Sequence, residues 1–500
     1  MNHPEFLIIG SGPGGTAAAR KLVAAGRRVL MIERGGYLPK EDENRDSQAV
    51  YGDKKYRTAE RWLDKDGKEL QPWMHYFVGG NAKLYGSAHY RFRKADFGEL
   101  SYSDGLSPAW PHRYEDFDPF YDEAEKLYTV HGDRQADPTE PTDLPYPAAP
   151  IPDEEGIGRV KSGLDQIGVS HLPLPVGVQL DQENKGYQTD LTHFDAYPDP
   201  SLSKAEPEGC LLEELQQGNF ELQTHTMALA FETKGRTVTG VWVDHHGGKQ
   251  LLKAPNIICA AGAIQSAKLF LASAPDRSFA NESGLVGCNY MAHISTTASA
   301  QFREEIPDTF AKTFGSNHFY QPDSGGELLG SVQTQGKWDA AQYGLEPWTM
   351  KDSDDPVEIA KHGLEFFFMT EDLPLKKNAI HLKSDGQIQI DREMTCLQEH
   401  SAFVKNWEEA LGGIPNDILT LHRYRHQRLE LDWCTHQCGT LLYGLDPEES
   451  VLDLNCRAHA YDNLWVTDGS FMPSSSALNP TLTIVANALR VSAHLAEKVA

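Results

Sequence analysis

Positive charge is scarce in this chain. Its 500 residues carry 46 Lys and Arg against 72 Asp and Glu, a formal net charge of -26. That balance argues against nucleic acid and anionic membrane surfaces as partners, because both repel an acidic protein. Cysteine is sparse too: seven, an odd number, scattered along the sequence. They make no disulfide framework, so a reduced, cytoplasmic protein is the expectation. Long hydrophobic runs are also missing. No stretch of about eighteen apolar residues exists, so no membrane insertion is expected. A glycine-rich first strand begins five residues after Met1, which leaves no expected room for a signal peptide. The acid excess itself has two readings. It keeps the protein soluble, or it steers a cationic small molecule toward it.

What is present is concentrated at the start. The apolar run Phe6-Leu7-Ile8-Ile9 enters Gly10-Ser11-Gly12-Pro13-Gly14-Gly15, and a helix is predicted from Thr16 to Ala25. A second apolar run, Arg28 to Ile32, ends on Glu33. This is the strand, tight turn, helix, strand and acid of a dinucleotide-binding unit. Gly10 allows the turn, Gly12 lets backbone approach a pyrophosphate, and Gly15 lets the helix lie close to the strand. The phosphates meet free N–H groups at the positive end of the helix. Glu33 stands where an acid holds ribose hydroxyls.

Glu41 to Gly67 reads as a polar, irregular excursion. Paired glycines in Val78-Gly79-Gly80-Asn81-Ala82-Lys83-Leu84-Tyr85-Gly86 point to a second close backbone approach, or to a plain loop turn. A helix is predicted from Tyr114 to Val130, and Asp133 to Pro152 reads as a surface loop. Gly186 to Pro207 is polar and without period, and reads as a lid or substrate loop. Leu222, Met227 to Phe231 and Val238 to Val243 look like a small antiparallel set. Asn256 to Ala263 is a strand running into a glycine turn, with a helix from Ile264 to Ala272. Phe302 to Thr395 is rich in strands, including Leu364 to Thr370 and a hairpin about Ser384-Asp385-Gly386, and reads as one antiparallel sheet. A helix is expected from Phe403 to Leu411. The end of the chain returns to the pattern of its beginning. A strand from Asn463 to Asp468 leads into a small-residue loop, and Asn479-Pro480 then opens a helix from Thr481 to Val499.

Taken together these stretches resemble the glucose–methanol–choline (GMC) oxidoreductases, which are FAD enzymes, and among them the bacterial sugar-type members. The residues that carry the resemblance are Gly10 to Gly15 with Glu33, Val78-Gly79-Gly80, and Ala261-Gly262-Ala263-Ile264-Gln265-Ser266. To these belong His436-Gln437-Cys438-Gly439-Thr440, Val466-Thr467-Asp468-Gly469-Ser470 and Asn479-Pro480-Thr481. They follow the family's order and span the chain, with a looser match in the middle. The resemblance implies an α/β and α+β protein. A Rossmann-like FAD-binding domain, of the GMC and p-hydroxybenzoate-hydroxylase kind, would be joined to a substrate domain on an antiparallel β-sheet. The FAD-binding domain would be discontinuous, over 1–100, 205–290 and 440–500, with 101–204 and 291–439 forming the substrate domain. FAD contacts would come from Gly10, Gly12, Gly14, Gly15, Glu33, Arg34, Gly79, Gly80, Asn81, Ala261, Gly469, Pro480 and Thr481. Gly86 would lie near flavin N5, and Ala228 would meet the adenine through backbone. Asp468 would either serve the ribityl or phosphate region or merely cap its strand. Members that bind flavin covalently do so through a histidine at the position of Leu84, so dissociable FAD is expected here. Many bacterial relatives carry a cysteine-rich loop that here, in Gly186 to Pro200, has no cysteine.

Oxidising an alcohol requires a base for the hydroxyl proton, a donor to the oxygen, and an acceptor for the hydride. The resemblance makes His436 the base, a role its near-neutral pKa suits, with flavin N5 as hydride acceptor. Asn479 holds the family's second position, where an amide donates to the substrate oxygen; it also suits a helix N-cap. The start of the last helix would face flavin N1 and O2. Cys434, His436 and Cys438 alternate along an expected strand, but no fourth ligand accompanies them, and no metal is expected. The expected substrate is a small polyhydroxylated molecule, with the electron acceptor undetermined. The segments Asp468 to Pro473 and Leu478 to Thr483 are similar to dehydrogenases that oxidise the 6'-hydroxyl of aminoglycoside intermediates, which are polycations. A neutral sugar or glycoside is the alternative, and a cyanohydrin lyase with structural FAD is a third reading.

Overall fold

A computed structural model describes residues 3–178, 193–200, 202–211, 217–274, 276–321, 327–433 and 435–498. Its centre is a five-stranded parallel sheet in the order Phe220–Gln223, Val29–Ile32, Phe6–Ile9, Asn256–Cys259, Leu464–Val466. Phe6, Leu7, Ile8 and Ile9 are all buried, as an apolar strand covered on both faces requires. The helix Pro13–Ala24 packs against the last helix, Thr481–Lys498. Ala17, Ala18 and Ala19 on one and Val485, Ala488 and Leu489 on the other belong to the same core. The C-terminal strand ends therefore gather at one edge the loops beginning at Gly10, Glu33, Ala260 and Thr467, where open α/β sheets bind their ligands.

Leu222 departs from expectation. Its strand pairs in parallel with Val29–Ile32, so it extends the central sheet. The antiparallel set is Thr226–Lys234, Thr237–His245 and Gly248–Leu252. Only two residues separate the first strand from this set, so the sequence offers no punctuation between two sheets.

A second large sheet has six strands in the order Leu421–Arg428, Ile294–Phe302, Gly363–Thr370, Ser331–Thr334, Phe314–Ser316, Leu172–Pro173, paired antiparallel throughout. Alternation divides its faces. Ala298, Ala300, Val332, Leu364, Phe366 and Phe368 pack under the helix Leu397–Gly412 with Phe403 and Trp407. Each phenylalanine buried there contributes about 1.5–3 kcal/mol of transfer free energy. The opposite face carries Thr297, Gln333 and Phe367 and looks toward the edge of the parallel sheet. The hairpin Ala379–Leu382 and Ile388–Asp391 does not join this sheet. It pairs with Trp62–Asp64 and Glu69–Leu70 in a four-stranded sheet, so the Glu41 to Gly67 excursion holds a strand. That partner is far away in sequence, and local pattern cannot announce it.

Candidate active site

A cavity of about 640 Å³ lies between the C-terminal edge of the parallel sheet and the free face of the six-stranded sheet. Of the residues expected to bind or react, all but Gly15 and Gly79 line it: Gly10, Gly12, Gly14, Glu33, Arg34, Gly80, Asn81, Gly86, Ala228, Ala261, Asp468, Gly469, Pro480, Thr481, His436 and Asn479. Gly15 is packed behind the turn, where a Cβ would collide with the Gly10 carbonyl. Gly79, at φ 100°, has the side chains of Lys83 and Glu206 where a Cβ would stand, and donates its N–H to Ser11 Oγ at 3.1 Å.

At the nucleotide end, Gly12 has nothing within 4 Å of the space a Cβ would fill, so backbone alone faces the cavity there. Gly80 closes on it from the facing loop. Glu33 accepts from Ser11 Oγ at 2.7 Å, Ser11 N at 3.1 Å and Gly35 N at 3.0 Å, which fixes the carboxylate at the rim. Arg34 pairs with Glu60 at 2.7 Å and lies over the Tyr76 ring. Asp468 caps the turn Gly469–Phe471 and binds Gly262 N at 3.0 Å and Ser266 Oγ at 2.5 Å. Its side chain is thus engaged in joining two edge loops. Burial raises its carboxyl above the usual range, and the Ser266 and Ser470 hydrogen bonds oppose that rise. The cavity volume, the open space over the Gly12 backbone and a buried His75 Nε2 with no partner fit a polar dinucleotide such as FAD. Leu84, at the position of the family's flavin-linking histidine, is buried and offers no nucleophile.

At the other end, His436 and Asn479 meet. Asn479 Nδ2 lies 3.5 Å from His436 Nε2, and Asn479 Oδ1 has no partner, so the side chain does not cap the last helix. His436 adopts φ 55°, a left-handed backbone rare outside glycine, which turns it off any strand. Of the expected alternating face, His436 and Cys438 do not share a strand, Cys438 making only an isolated bridge to Met291, and Cys434 lies outside the described residues. Burial pushes the His436 imidazolium well below its ordinary pKa, and His293 and Lys312 push the same way. The ring is therefore neutral at physiological pH. The expected lid stretch lies outside the described residues over 186–192 and at 201, but Asp195 lines the cavity and pairs with Lys312.

Several residues were not legible as site residues. Four strands of the six-stranded sheet bring Gln427, Thr297, Phe367 and Gln333 into one cross-strand row facing the cavity. Gln427 is exposed at the mouth and Gln333 buried at the far end, and Gln333 Oε1 has no partner. The Phe367 ring stands edge to face with His436 at 6.1 Å. Glu346, Glu430 and Asp432 also line the cavity. Trp73 and Trp433 stack at 4.7 Å on its wall, with Arg57 over both. The alternation of Thr297 and Ser299 with Ala298 and Ala300 was a readable signal; which face met a ligand was not.

The GMC oxidoreductase family model matches residues 402–488. The chain is 28% identical to 6'''-hydroxyparomomycin C oxidase of Streptomyces lividus, over 99% of this chain and 92% of that protein. It is 26% identical to 2-methyl-1,2-propanediol dehydrogenase of Mycolicibacterium austroafricanum, over 99% of this chain and 96% of that protein. A solved structure of Aspergillus oryzae formate oxidase, from work on FAD modification, is similar with a TM-score of 0.71 at 14% identity. That match covers 99% of this chain and 98% of that one.

Proposed function

We propose, from the chain's membership of the GMC oxidoreductases, that it oxidises a hydroxyl group of a polyhydroxylated substrate at His436 and Asn479. The observation that carries this reading is the meeting of those two side chains in a cavity continuous with the glycine-lined edge. FAD would be held along that edge by Gly12, Gly80, Glu33 and the start of the last helix, and would supply the acceptor for the hydride. With leucine at position 84, that FAD would be noncovalent. His436 Nε2, on a ring kept neutral by burial, takes the hydroxyl proton. Asn479 Nδ2 donates to the same oxygen as negative charge grows on it, and cannot compete as a base.

The finer reading is a cationic aminosugar, with oxidation at the 6'-hydroxyl of an aminoglycoside intermediate. Three observations favour it: the acidic chain, the carboxylates Glu346, Glu430 and Asp432 on the cavity wall, and the aminoglycoside oxidase among the relatives. Arg57 answers part of that charge, since Asp432 and Glu346 both act on it. A neutral sugar is the second reading, favoured by the uncharged row of Gln427, Thr297, Phe367 and Gln333 on the cavity wall, of which Phe367 meets His436. Anaerobic titration of the yellow enzyme with paromamine and with a neutral sugar separates them. Bleaching by the amine alone supports the aminosugar, and bleaching by the sugar alone overturns it. Bleaching by neither, nor by a panel of simple alcohols, would count against oxidation and for a lyase.

A further inference from the structure

His436 can act as a proton acceptor at Nε2 only in one of its two neutral tautomers, and a second buried histidine stands where that choice is made. His293 Nε2 lies 3.1 Å from the carbonyl oxygen of Ser475. A carbonyl oxygen only accepts, so His293 Nε2 carries a proton. His293 is buried, and burial pushes its imidazolium down to about 4, with Arg392 adding to the push. At physiological pH its other nitrogen, Nδ1, is therefore bare. That bare nitrogen lies 3.0 Å from Nδ1 of His436. Two lone pairs at this distance repel, so His436 Nδ1 must hold the proton and donate it. The remaining nitrogen of His436, Nε2, is then unprotonated, and it is the one that faces Asn479.

The far end of this chain of contacts is anchored. Ser475 Oγ accepts from Asp372 N at 3.0 Å and donates to Asp372 O at 3.1 Å. The Asp372 carboxylate is held by Arg392 at 2.9 Å and by Thr395 Oγ1 at 2.9 Å. The charged groups around the two rings are these: Lys312, paired with Asp195, beside His436, and Arg392, paired with Asp372, beside His293. Both cations disfavour protonation of the ring they face. Were His293 protonated, its Nδ1–H would donate to His436 and force the proton of His436 onto Nε2, which would block it.

We propose that His293 is a positioning residue that holds His436 in its Nδ1–H tautomer and so keeps Nε2 bare toward the substrate. The inference rests on the reading of His436 as the base. In the reaction the hydroxyl proton passes to His436 Nε2, the hydride leaves the carbinol carbon for the bound cofactor, and a carbonyl compound remains. The imidazolium so formed keeps its Nδ1–H bond to His293.

The test is nitrogen NMR of the holoenzyme labelled with 15N-histidine, the His436 signals being those that vanish in His436→Ala. A protonated Nδ1 and a bare Nε2 are expected in the wild type; a protonated Nε2 overturns the proposal without any variant. His293→Phe keeps the ring volume and removes the acceptor. It should move the His436 proton to Nε2 and slow flavin bleaching roughly a hundredfold, with little change in half-saturating alcohol. His293→Asn, which retains an acceptor oxygen next to Cγ, should restore the tautomer and most of the rate. Retention of the Nδ1–H tautomer in the phenylalanine variant overturns the proposal. If His436→Ala bleaches at the wild-type rate, the reading of the base fails, while the tautomer is still decided by its own spectrum.

Discussion

A methyl group on Gly14 would collide with the carbonyl oxygen of Thr467, whereas one on Gly12 would stand in open cavity. The first helix and the loop after the last strand thus touch backbone to backbone, and two glycines two residues apart serve different ends. Gly14→Ala forces one backbone from the other and should cost about 1–3 kcal/mol or more, lowering the unfolding midpoint of the FAD-free protein. Gly12→Ala should leave that midpoint in place and weaken FAD retention at least tenfold, read as flavin per protein after desalting. The comparison belongs to the FAD-free forms, since a lost ligand lowers the midpoint by itself. Equal midpoints for the two variants would refute the distinction.

His436 and Asn479 are expected to fail in different ways. His436→Ala removes the proton acceptor and should slow anaerobic flavin reduction by roughly a hundredfold to ten-thousandfold. Asn479→Asp keeps the shape but replaces a donor with a group that repels the growing charge on oxygen. It should be slower than Asn479→Ala, in stopped-flow traces at saturating alcohol. An aspartate variant faster than the alanine would mean that the amide does not face the reacting oxygen.

The central fold was legible because it is local. Phe6 to Glu33 carries its own apolar runs, glycines and acid within one βαβ unit, and Asn256 to Ala272 repeats the pattern. The pairing of Ile388–Asp391 with Trp62–Asp64 was not legible, because the strands are short and far apart in sequence. His436 was legible only through its motif; its left-handed backbone breaks the alternation that a strand reading assumed. His293 stayed hidden because nothing near it in sequence marks a partner. It reaches His436 only after the strand Ile294–Phe302 has been set in its sheet.

The row Gln427, Thr297, Phe367, Gln333 predicts a gradient of effects along the cavity. Gln333 is buried and its Oε1 has no protein partner, so a bound substrate's hydroxyl or ammonium would supply the missing donor. Gln333→Leu should raise the half-saturating substrate concentration by roughly tenfold, the worth of one buried hydrogen bond, with a small change in the limiting reduction rate. Gln427→Leu at the exposed mouth should change it less than threefold, within the range of about 0.5 kcal/mol expected of surface positions. The reverse order would place the substrate at the mouth and not beneath the sheet.

His400 gives the protein a pH dependence that can be isolated. Its ring is wedged between Thr296 Oγ1 at 2.7 Å and Thr370 Oγ1 at 2.9 Å. Burial, with Arg428 and His426 adding, pushes it from 6.5 down to about 3. Between those values the unfolded chain holds a proton that the folded chain refuses, so stability falls as pH falls, by about 1.4 kcal/mol per pH unit for one such group. His75 and His89, pushed to about 3, act in the same direction. Glu206 and Glu371 act oppositely: burial raises both from 4.5 to about 7, so the folded state holds the extra proton and stability falls as pH rises through that window. Whole-protein stability therefore mixes both signs, and a difference between two proteins separates them. His400→Gln keeps an amide for the two threonines and removes the titration. Urea unfolding of wild type and variant should diverge as pH falls below 6.5, in the variant's favour, by about 1.4 kcal/mol per unit. Parallel stability curves would show that His400 takes up its proton in the folded state as readily as in the unfolded chain.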